Sequence, residues 1–318
     1  MTPAPARADA ALPFLELTLT PRQAREALER VLREGLDPES CPPRSNIPVP
    51  AGELLLMPAA TGRYAGVKIA GVAPANPGLG LPRITGSHLL LDGPTLRPLA
   101  LFDGAALTAL RTPAVTALAV GRLAAPDAAH LVLFGAGPQA YGHLAALAEV
   151  RPLTRVTVVA RRAAPAEDLC AHARTLGLDA TPGTAAAVAG ADIVVCCTTA
   201  RTPLFDGGAV ADRAVVAAVG SHDPGAREVD GALVRRSALY TESRAGALRE
   251  AGDLLMAFPA GWAPGAPMLA NLSELVNDEA AVAFDRPRFF KSVGMAWQDL
   301  AVAAMQYEMS PGFRLNLP

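Results

Sequence analysis

Two glycines that follow an apolar run have the spacing in this chain that most clearly indicates a binding site. The run Leu131–Phe134 has the composition of a β-strand, and Tyr141–Ala148 has that of an amphipathic helix. The residues between them are Gly135-Ala136-Gly137-Pro138-Gln139-Ala140, a GxGxxG pattern with alanine at the third glycine position. In such a unit the first glycine permits a tight turn, and the second lets backbone approach a pyrophosphate at the helix N-terminus. The pattern predicts a dinucleotide site, the alternative being a purely structural turn.

The end of the next predicted strand indicates which dinucleotide binds. After Arg155–Val159 the chain continues Ala160-Arg161-Arg162, so no carboxylate stands where NAD-binding folds place one against the ribose 2′-hydroxyl. Guanidinium groups match a phosphate in both charge and geometry. We therefore expect Arg161 and Arg162 to bind the 2′-phosphate of NADPH, with NADH bound more weakly. The alternative is a solvated charge pair at the start of a helix.

The chain uses lysine sparingly, which makes its lysines candidates for function. Its 28 lysine and arginine residues include only two lysines, Lys68 and Lys291. A compact, titratable ammonium serves where a guanidinium does not. We therefore expect both lysines to have specific roles, the alternative being that they persist by chance.

Composition excludes several classes of function. With 318 residues, 51% of them hydrophobic, the chain can bury a large core or two domains. The formal net charge of −2 gives no electrostatic reason to expect a nucleic-acid partner. Arg111 interrupts the best apolar stretch, and the N-terminal residues include Arg7 and Asp9, so we expect neither a membrane span nor a signal peptide. The four cysteines lack C-x-x-C spacing, which indicates a cytoplasmic protein without a metal site.

The predicted secondary structure has two patterns. Thr20 and Pro21 predict the start of a helix that runs to Arg33, and residues 37–50 read as a proline-rich loop. Apolar runs at 54–57, 66–72, 87–91 and 98–102 predict an antiparallel or mixed sheet, and a helix is expected at 105–123. Strands expected at 131–134, 155–160, 192–197, 214–219 and 238–241 alternate with helices, which is typical of a doubly wound parallel sheet. The stretch Phe289–Met309 is predicted to be helical.

Taken together, motifs along the chain resemble those of the ornithine cyclodeaminase/μ-crystallin family. They are Val67-Lys68, Asn76-Pro77, Gly80-Leu81-Pro82, Leu107-Thr108-Ala109-Leu110-Arg111-Thr112, the glycine run, Pro224-Gly225-Ala226-Arg227-Glu228, Glu250-Ala251-Gly252-Asp253 and Phe290-Lys291-Ser292-Val293-Gly294-Met295-Ala296-Trp297-Gln298-Asp299. The resemblance implies an α/β fold with a central Rossmann domain at 116–289. It also implies a mixed α/β substrate-binding and dimerisation domain built from both chain ends, 1–115 and 290–318. Such proteins are homodimers that transfer hydride between a nicotinamide and an α-amino or α-imino acid.

The resemblance also implies roles for individual residues. Arg44, Lys68 and Arg111 match the family's binders of the substrate carboxylate, a cationic clamp that would orient an imino acid for hydride transfer. The residues implied at the cofactor are Thr112 and Gln139 at its phosphates, Thr198 and Thr199 beside its ribose, and Ser292, Val293 and Gly294 near its nicotinamide. Arg44 and Arg111 could instead form ordinary ion pairs.

Three positions depart from the cyclodeaminases in this family. Leu55 stands where they carry the acidic residue that meets the distal amine of ornithine, and His222 stands where they carry the catalytic aspartate. Arg83 replaces their usual threonine. It either accepts a second anionic group of the substrate or pairs with Asp92 or Glu53. Because a buried ammonium without a partner is costly, the leucine disfavours a diamine substrate.

The leading hypothesis is reduction of a cyclic imino acid by NADPH. The substrate would be Δ1-pyrroline-2-carboxylate or Δ1-piperideine-2-carboxylate, and the product the L-amino acid. His222, or Asp223 beside it, would donate the proton to the imine nitrogen, with Lys68 as the third candidate catalytic residue. The alternatives are an ornithine-type cyclodeaminase, an alanine-type dehydrogenase, and a protein that binds NADPH or a small ligand without turnover.

Overall fold

The computed structural model describes residues 12–259, 261 and 269–311. Contacts divide the chain into two compact units. Unit 1 holds the described residues up to Thr18, Pro42–Leu107 and the described residues from Asp299 onward, and unit 2 holds Leu19–Cys41 and Thr108–Gln298. The predicted domain limits at 115/116 and 289/290 remain a prediction. The N-terminal residues with Arg7 and Asp9, and residues 312–318, lie outside the described part of the chain.

Unit 1 is built on a mixed sheet, as predicted. Its strands are β1 (Phe14–Leu15), β2 (Ser45–Val49), β3 (Gly52–Ala60), β4 (Tyr64–Val72), β5 (Ile84–Asp92) and β6 (Pro98–Asp103). The order across the sheet is β1-β6-β5-β4-β3-β2, with β1 parallel to β6 and every other pair antiparallel. The prediction of loop for the whole of 37–50 is wrong at β2. This edge strand contains Pro48 and has mostly exposed side chains, so it lacks the apolar alternation that marks a strand.

Unit 2 contains the predicted parallel sheet, and the expected fold class is confirmed. Its strands are β7 (His130–Phe134), β8 (Arg155–Val159), β9 (Asp179–Pro182), β10 (Ile193–Cys196), β11 (Val215–Ala218), β12 (Ala238–Thr241), β13 (Leu269–Asn271) and β14 (Arg288–Lys291). The order is β13-β12-β14-β11-β10-β7-β8-β9, and all pairs are parallel. From β7 the chain proceeds toward one edge through β8 and toward the other through β10. Such a switch point opens a crevice at the carboxyl ends of the strands, where α/β sheets bind ligands.

The strand β14 corrects a prediction. Residues from Phe289 were expected to be helical, yet β14 pairs with both β11 and β12 inside the sheet. All four of its residues are buried, so the strand has no polar face and shows no alternation in sequence. The helix that follows begins only at Ala296.

The described α-helices are α1 (Pro21–Arg33), α2 (Gly104–Leu123), α3 (Pro138–Ala148), α4 (Ala163–Thr175), α5 (Gly231–Arg236), α6 (Arg244–Glu250), α7 (Gly252–Leu255), α8 (Leu272–Val276) and α9 (Ala296–Met309). The helices expected to run to Arg33 and at 105–123 are confirmed as α1 and α2, whereas α8 was not predicted. Thr20 caps α1 through a reciprocal capping box with Gln23, as the Thr-Pro signal predicted. Among the described helices, only α2 is long and apolar enough to cross a membrane by length and composition. Two thirds of that apolar stretch is buried, and core helices meet the same criteria.

Candidate functional site

A cleft of about 480 Å³ lies at the switch point of the parallel sheet in unit 2. Its walls are the residues that follow the neighbouring strands β7, β8 and β10. They are Phe134, Gly135, Ala136, Gly137, Val159, Ala160, Arg161, Arg162, Pro165, Cys197, Thr198, Thr199, Ala200 and Leu204. The structure therefore brings together the predicted glycine run, both predicted arginines and both predicted threonines. Thr112, which lies buried in α2, is not among the lining residues.

The glycine run has the geometry that a dinucleotide pyrophosphate requires. Gly135 has a φ of +108°, and a Cβ there would lie 2.8 Å from the carbonyl oxygen of Cys197. Gly137 precedes α3 without any side chain capping the helix, and no described atom lies within 4 Å of the position of its missing Cβ. The uncapped N–H groups and the open space would accept an anion at the helix N-terminus. These residues fit a dinucleotide cofactor.

The predicted 2′-phosphate ligands lie at the carboxyl end of β8. Arg161 and Arg162 are both exposed, and neither guanidinium makes an ion pair or hydrogen bond with any described residue. No carboxylate lines this end of the cleft. Two uncommitted guanidinium groups favour a ligand with additional negative charge.

A buried charge cluster lies behind the threonines of the cleft. The carboxylate of Glu228 accepts hydrogen bonds from the backbone N–H and the hydroxyl of Thr198, at 2.8 and 2.7 Å, and from Gly220 N at 2.8 Å. Lys291 Nζ lies 2.8 Å from Asp253 Oδ2, and both side chains are fully buried. Burial raises the pKa of Glu228, while the charge of Lys291 opposes this shift. The cluster fixes the strand ends that shape the cleft.

The other lysine also forms a buried ion pair, in unit 1. Lys68 Nζ donates to Asp299 Oδ2 at 2.8 Å, and the side chains are 5% and 0% exposed. In register, Lys68 lies between Met57 of β3 and His88 of β5. Both ring nitrogens of His88 are buried without a hydrogen-bond partner among the described residues, and burial lowers its pKa to about 4. Each lysine of the chain thus faces an aspartate in the interior.

Sequence reasoning missed Asp299 and His88. The aspartate ends the quoted Phe290–Asp299 run, but 231 residues separate it from Lys68. The histidine is apparent only from the strand register. A buried carboxylate and a buried imidazole therefore lie next to Lys68.

The remaining predicted carboxylate binders differ in exposure. Arg44 is half-buried, and Arg83 is exposed. No described residue pairs with the Arg83 guanidinium, so the expected alternative of an ion pair with Asp92 or Glu53 is not observed there. Arg111 is buried on α2 in unit 2, where its Nη1 donates to Gln298 Oε1 at 2.9 Å. The joint role of these residues on one carboxylate stays a prediction.

The two candidate proton donors follow β11. His222 is exposed, whereas Asp223 forms a 2.7 Å ion pair with Arg201 and accepts a hydrogen bond from Gly225 N at 2.8 Å. The Gly225 N–H and the Arg201 guanidinium lower the pKa of Asp223. An ionised carboxylate has no proton to give, so this geometry favours His222 of the two.

Gln139, Ser292, Val293 and Gly294 are each held by hydrogen bonds within unit 2. Gln139 Nε2 donates to the Thr108 carbonyl at 3.3 Å. Ser292, Val293 and Gly294 donate to one buried carboxylate. No group of three or more His, Cys, Asp or Glu residues suited to a metal ion occurs in the part of the chain that the structure describes.

The parallel sheet, its switch-point cleft and the glycine turn define a dinucleotide-binding α/β protein. The sequence model of the ornithine cyclodeaminase/mu-crystallin family matches residues 18–312, and the chain belongs to this family. The resemblance read from the motifs is thereby confirmed.

Curated relatives indicate the class of enzyme. The chain is 36% identical over 264 residues to Delta(1)-pyrroline-2-carboxylate reductase 2 of Burkholderia ambifaria, with 82% of each chain covered. It is 37% identical over 264 residues to a Delta(1)-pyrroline-2-carboxylate/Delta(1)-piperideine-2-carboxylate reductase of Azospirillum brasilense, again with 82% of each covered. The expected class, an oxidoreductase acting on C=N bonds, is confirmed by these relatives.

A solved structure shows the same fold. The Delta(1)-pyrroline-2-carboxylate reductase of Thermococcus litoralis, in complex with NADH and L-proline, is 31% identical to this chain. The match covers 93% of this chain and 97% of that one, with a TM-score of 0.86. This match supports a nicotinamide dinucleotide as the cofactor and does not bear on the choice between NAD and NADP.

Proposed function

We propose that the protein reduces a cyclic imino acid, Δ1-pyrroline-2-carboxylate or Δ1-piperideine-2-carboxylate, to the L-amino acid with NADPH. The observation that carries the proposal is the face of β3 and β4 that holds buried Lys68. Leu55, also buried, lies on this same face, opposite Ala70 in register. This face therefore offers the Lys68 ammonium to a substrate carboxylate. At Leu55, a position that differs from the cyclodeaminases, it presents an apolar side chain where a diamine substrate would need an acidic residue. The names of the curated relatives support the same reaction.

Each residue has a distinct task in this reaction. Bound NADPH would supply the hydride at the imine carbon. Lys68 and Arg111, with Arg44, are proposed to bind the carboxylate and so fix the orientation of that carbon. His222 is proposed to give a proton to the imine nitrogen, with Asp223 holding Arg201 beside it. Arg83 is the candidate for a second anionic group on the substrate.

The experiment is a spectrophotometric assay of the purified protein. With NADPH and Δ1-pyrroline-2-carboxylate, the absorbance of the reduced nicotinamide should fall, and L-proline should appear. Release of ammonia from L-ornithine instead would indicate a cyclodeaminase. Oxidative deamination of L-alanine would indicate the dehydrogenase alternative, and NADPH binding without turnover of any imine would indicate a binding protein.

We expect at least ~10-fold tighter binding of NADPH than of NADH, which corresponds to about 1.4 kcal/mol from guanidinium–phosphate contacts. The double variant Arg161→Ala with Arg162→Ala should lose most of this preference while keeping its affinity for NADH. Arg174→Ala serves as a control, because that guanidinium bonds the Ala180 carbonyl and does not line the cleft. Isothermal titration with both cofactors makes the comparison, and equal affinities in the native protein would refute the assignment.

The proton-donor role of His222 predicts a change in pH dependence. In the native protein, turnover should decline on the alkaline side as the imidazole loses its proton. His222→Ala should be slower and should lack this decline. The same assay over a pH series tests the role, and a near-normal rate with an unchanged profile in the variant would exclude it.

We also propose that the protein is a cytoplasmic homodimer. One face of the unit 1 sheet carries the paired residues Ile47 with Leu54 and Leu56 with Ile69. Ile47 and Ile69 are 42% and 45% exposed, and a row of exposed aliphatic side chains on a sheet is typical of an interface. Light scattering coupled to size exclusion should give twice the 32.7 kDa chain mass, whereas a monomer mass would contradict the dimer.

A further inference from the structure

A single buried carboxylate, that of Glu242, organises the turn after β14. Glu242 directly follows β12, and Thr241 pairs in register with Lys291, so Glu242 and Ser292 emerge side by side from the sheet. Its oxygens accept hydrogen bonds from Ser292 Oγ at 2.8 Å, Val293 N at 2.9 Å and Gly294 N at 2.8 Å. The side chain is fully buried. A turn whose successive N–H groups converge on one anion has its conformation set by that anion.

The fourth donor to Glu242 extends this network to Arg111. Gln298 Nε2 donates to Glu242 Oε1 at 2.6 Å, while Gln298 Oε1 accepts from Arg111 Nη1 at 2.9 Å and from Met295 N at 3.1 Å. The carboxylate only accepts and the guanidinium only donates, so the amide has one orientation that satisfies both. Gln298 thus transmits the placement of the anion to the guanidinium.

The turn also lies close to the guanidinium. Gly294 has a φ of +81°, and a Cβ at this residue would lie 3.0 Å from both Nη atoms of Arg111. A turn that moved toward Arg111 would therefore displace the guanidinium. Arg111 is coupled to Glu242 by two routes, the Gln298 amide and the Gly294 backbone.

We propose that Glu242 is a positioning residue, which through Gln298 and the Ser292–Gly294 turn fixes Arg111 for the substrate carboxylate. The proposal rests on the proposed function, in which Arg111 binds that carboxylate and the turn lies near the nicotinamide. The Glu242 carboxylate contacts the turn and Gln298, and it acts through them. The charge of Glu242 is met by four donors in the interior, so its loss rearranges the whole network.

The test begins with Glu242→Gln, which keeps the size of the side chain but presents an amide donor to groups that are themselves donors. Its kcat/KM for Δ1-pyrroline-2-carboxylate should fall ~100-fold, as for other losses of a positioning contact. Gln298→Met, which leaves the turn bonded to Glu242 but breaks the link to Arg111, should show a similar loss. If Glu242→Gln folds poorly, Gln298→Met provides the test in its place.

A double-mutant cycle separates positioning from general damage. If Glu242 acts through Arg111, the combination of Glu242→Gln with Arg111→Ala should be no worse than Arg111→Ala alone, within about twofold. Losses that multiply would overturn the proposal. The control is Asp192→Asn, another buried carboxylate, which accepts from Ala129 N and His130 N at 3.0 Å each at the amino ends of the strands. It should lower the Tm without changing KM.

A crystal structure of Glu242→Gln without ligand gives a readout that does not depend on activity. Arg111 should have left Gln298, and the turn at Gly294 should have changed its backbone angles. An unchanged Arg111 and turn would overturn the proposal even if the imino-acid assay succeeds. Conversely, a displaced Arg111 in a protein that reduces no imino acid would sustain the positioning role and refute only the proposed function.

Discussion

Replacing Lys291 with methionine is expected to lower the free energy of unfolding by about 3–5 kcal/mol, the usual cost of removing one partner from a buried ion pair. The substitution leaves Asp253 without its cation in a fully buried position, beside the buried carboxylate of Glu228. Methionine has nearly the same length, so loss of charge, not loss of packing, dominates. Urea denaturation at neutral pH measures the effect as a shift of the midpoint at constant slope.

The pH dependence of this destabilisation has a definite sign. Burial already raises the pKa of Glu228 in the folded protein, and Lys291 opposes that shift. Without the lysine the Glu228 carboxyl holds its proton more strongly in the folded than in the unfolded protein. The variant therefore gains stability as the pH falls toward the pKa that Glu228 has in the unfolded chain. The difference from the native protein should therefore be smaller at about pH 5 than at about pH 8.

A matched control uses an exposed partner. Arg286 pairs with Asp285 at 2.9 Å, and the two side chains are 54% and 68% exposed. Arg286→Met should leave the free energy of unfolding nearly unchanged, as for other surface pairs. Equal changes in the free energy of unfolding for the two substitutions would contradict the predicted cost of breaking the buried pair.

Loss of the Lys68 ammonium is expected to reduce kcat/KM for a cyclic imino acid by ~100-fold or more, since a charge-assisted contact that orients the reacting carbon disappears. Lys68→Ala should leave the affinity for NADPH nearly unchanged, because the residue lies outside the dinucleotide cleft. The measurement is steady-state kinetics with the imino acid varied, together with cofactor titration.

Lys68→Ala also breaks the ion pair with Asp299. A second variant separates the resulting loss of stability from the loss of activity. Lys68→Ala strands a fully buried carboxylate and so costs stability as well as activity. Lys68→Met combined with Asp299→Asn removes both charges, so this double variant should fold with a Tm closer to the native one and still lack activity. Arg97→Ala, at an exposed arginine of unit 1 to which no role is assigned, is the control for a merely general loss of positive charge. Full activity of the double variant would contradict the clamp.

Strands were predictable where the sequence contains an apolar run. Such runs located β3, β4, β5 and β6 in unit 1, and turn residues located their ends. The same rule missed β2, which reads Ser-Asn-Ile-Pro-Val with mostly exposed side chains, and β14 of unit 2, which reads Arg-Phe-Phe-Lys with every residue buried. Neither sequence is an apolar run, and only the tertiary fold buries the two charged residues of β14.

The candidate site shows a similar division. The glycine run and Arg161 with Arg162 are local in sequence, and they line one cleft as expected. The rarity of lysine correctly singled out two residues that prove to be buried and paired. Their partners, and the Glu242 network, involve residues far apart in the chain. Composition and spacing carry no information about such pairings, since only the tertiary fold creates them.

The position of β14 has a consequence for synthesis on the ribosome. This strand lies between β11 and β12, although it follows β12 by some fifty residues. While the nascent chain ends before residue 288, β12 and β13 have no neighbour through which to join the rest of the sheet. We therefore expect unit 2 to close only after Lys291 has been synthesised, with the exposed edge of β11 open to chaperones until then. Arrested chains that stop before Arg288 should remain protease-sensitive at β12, and chains that extend past Lys291 should not.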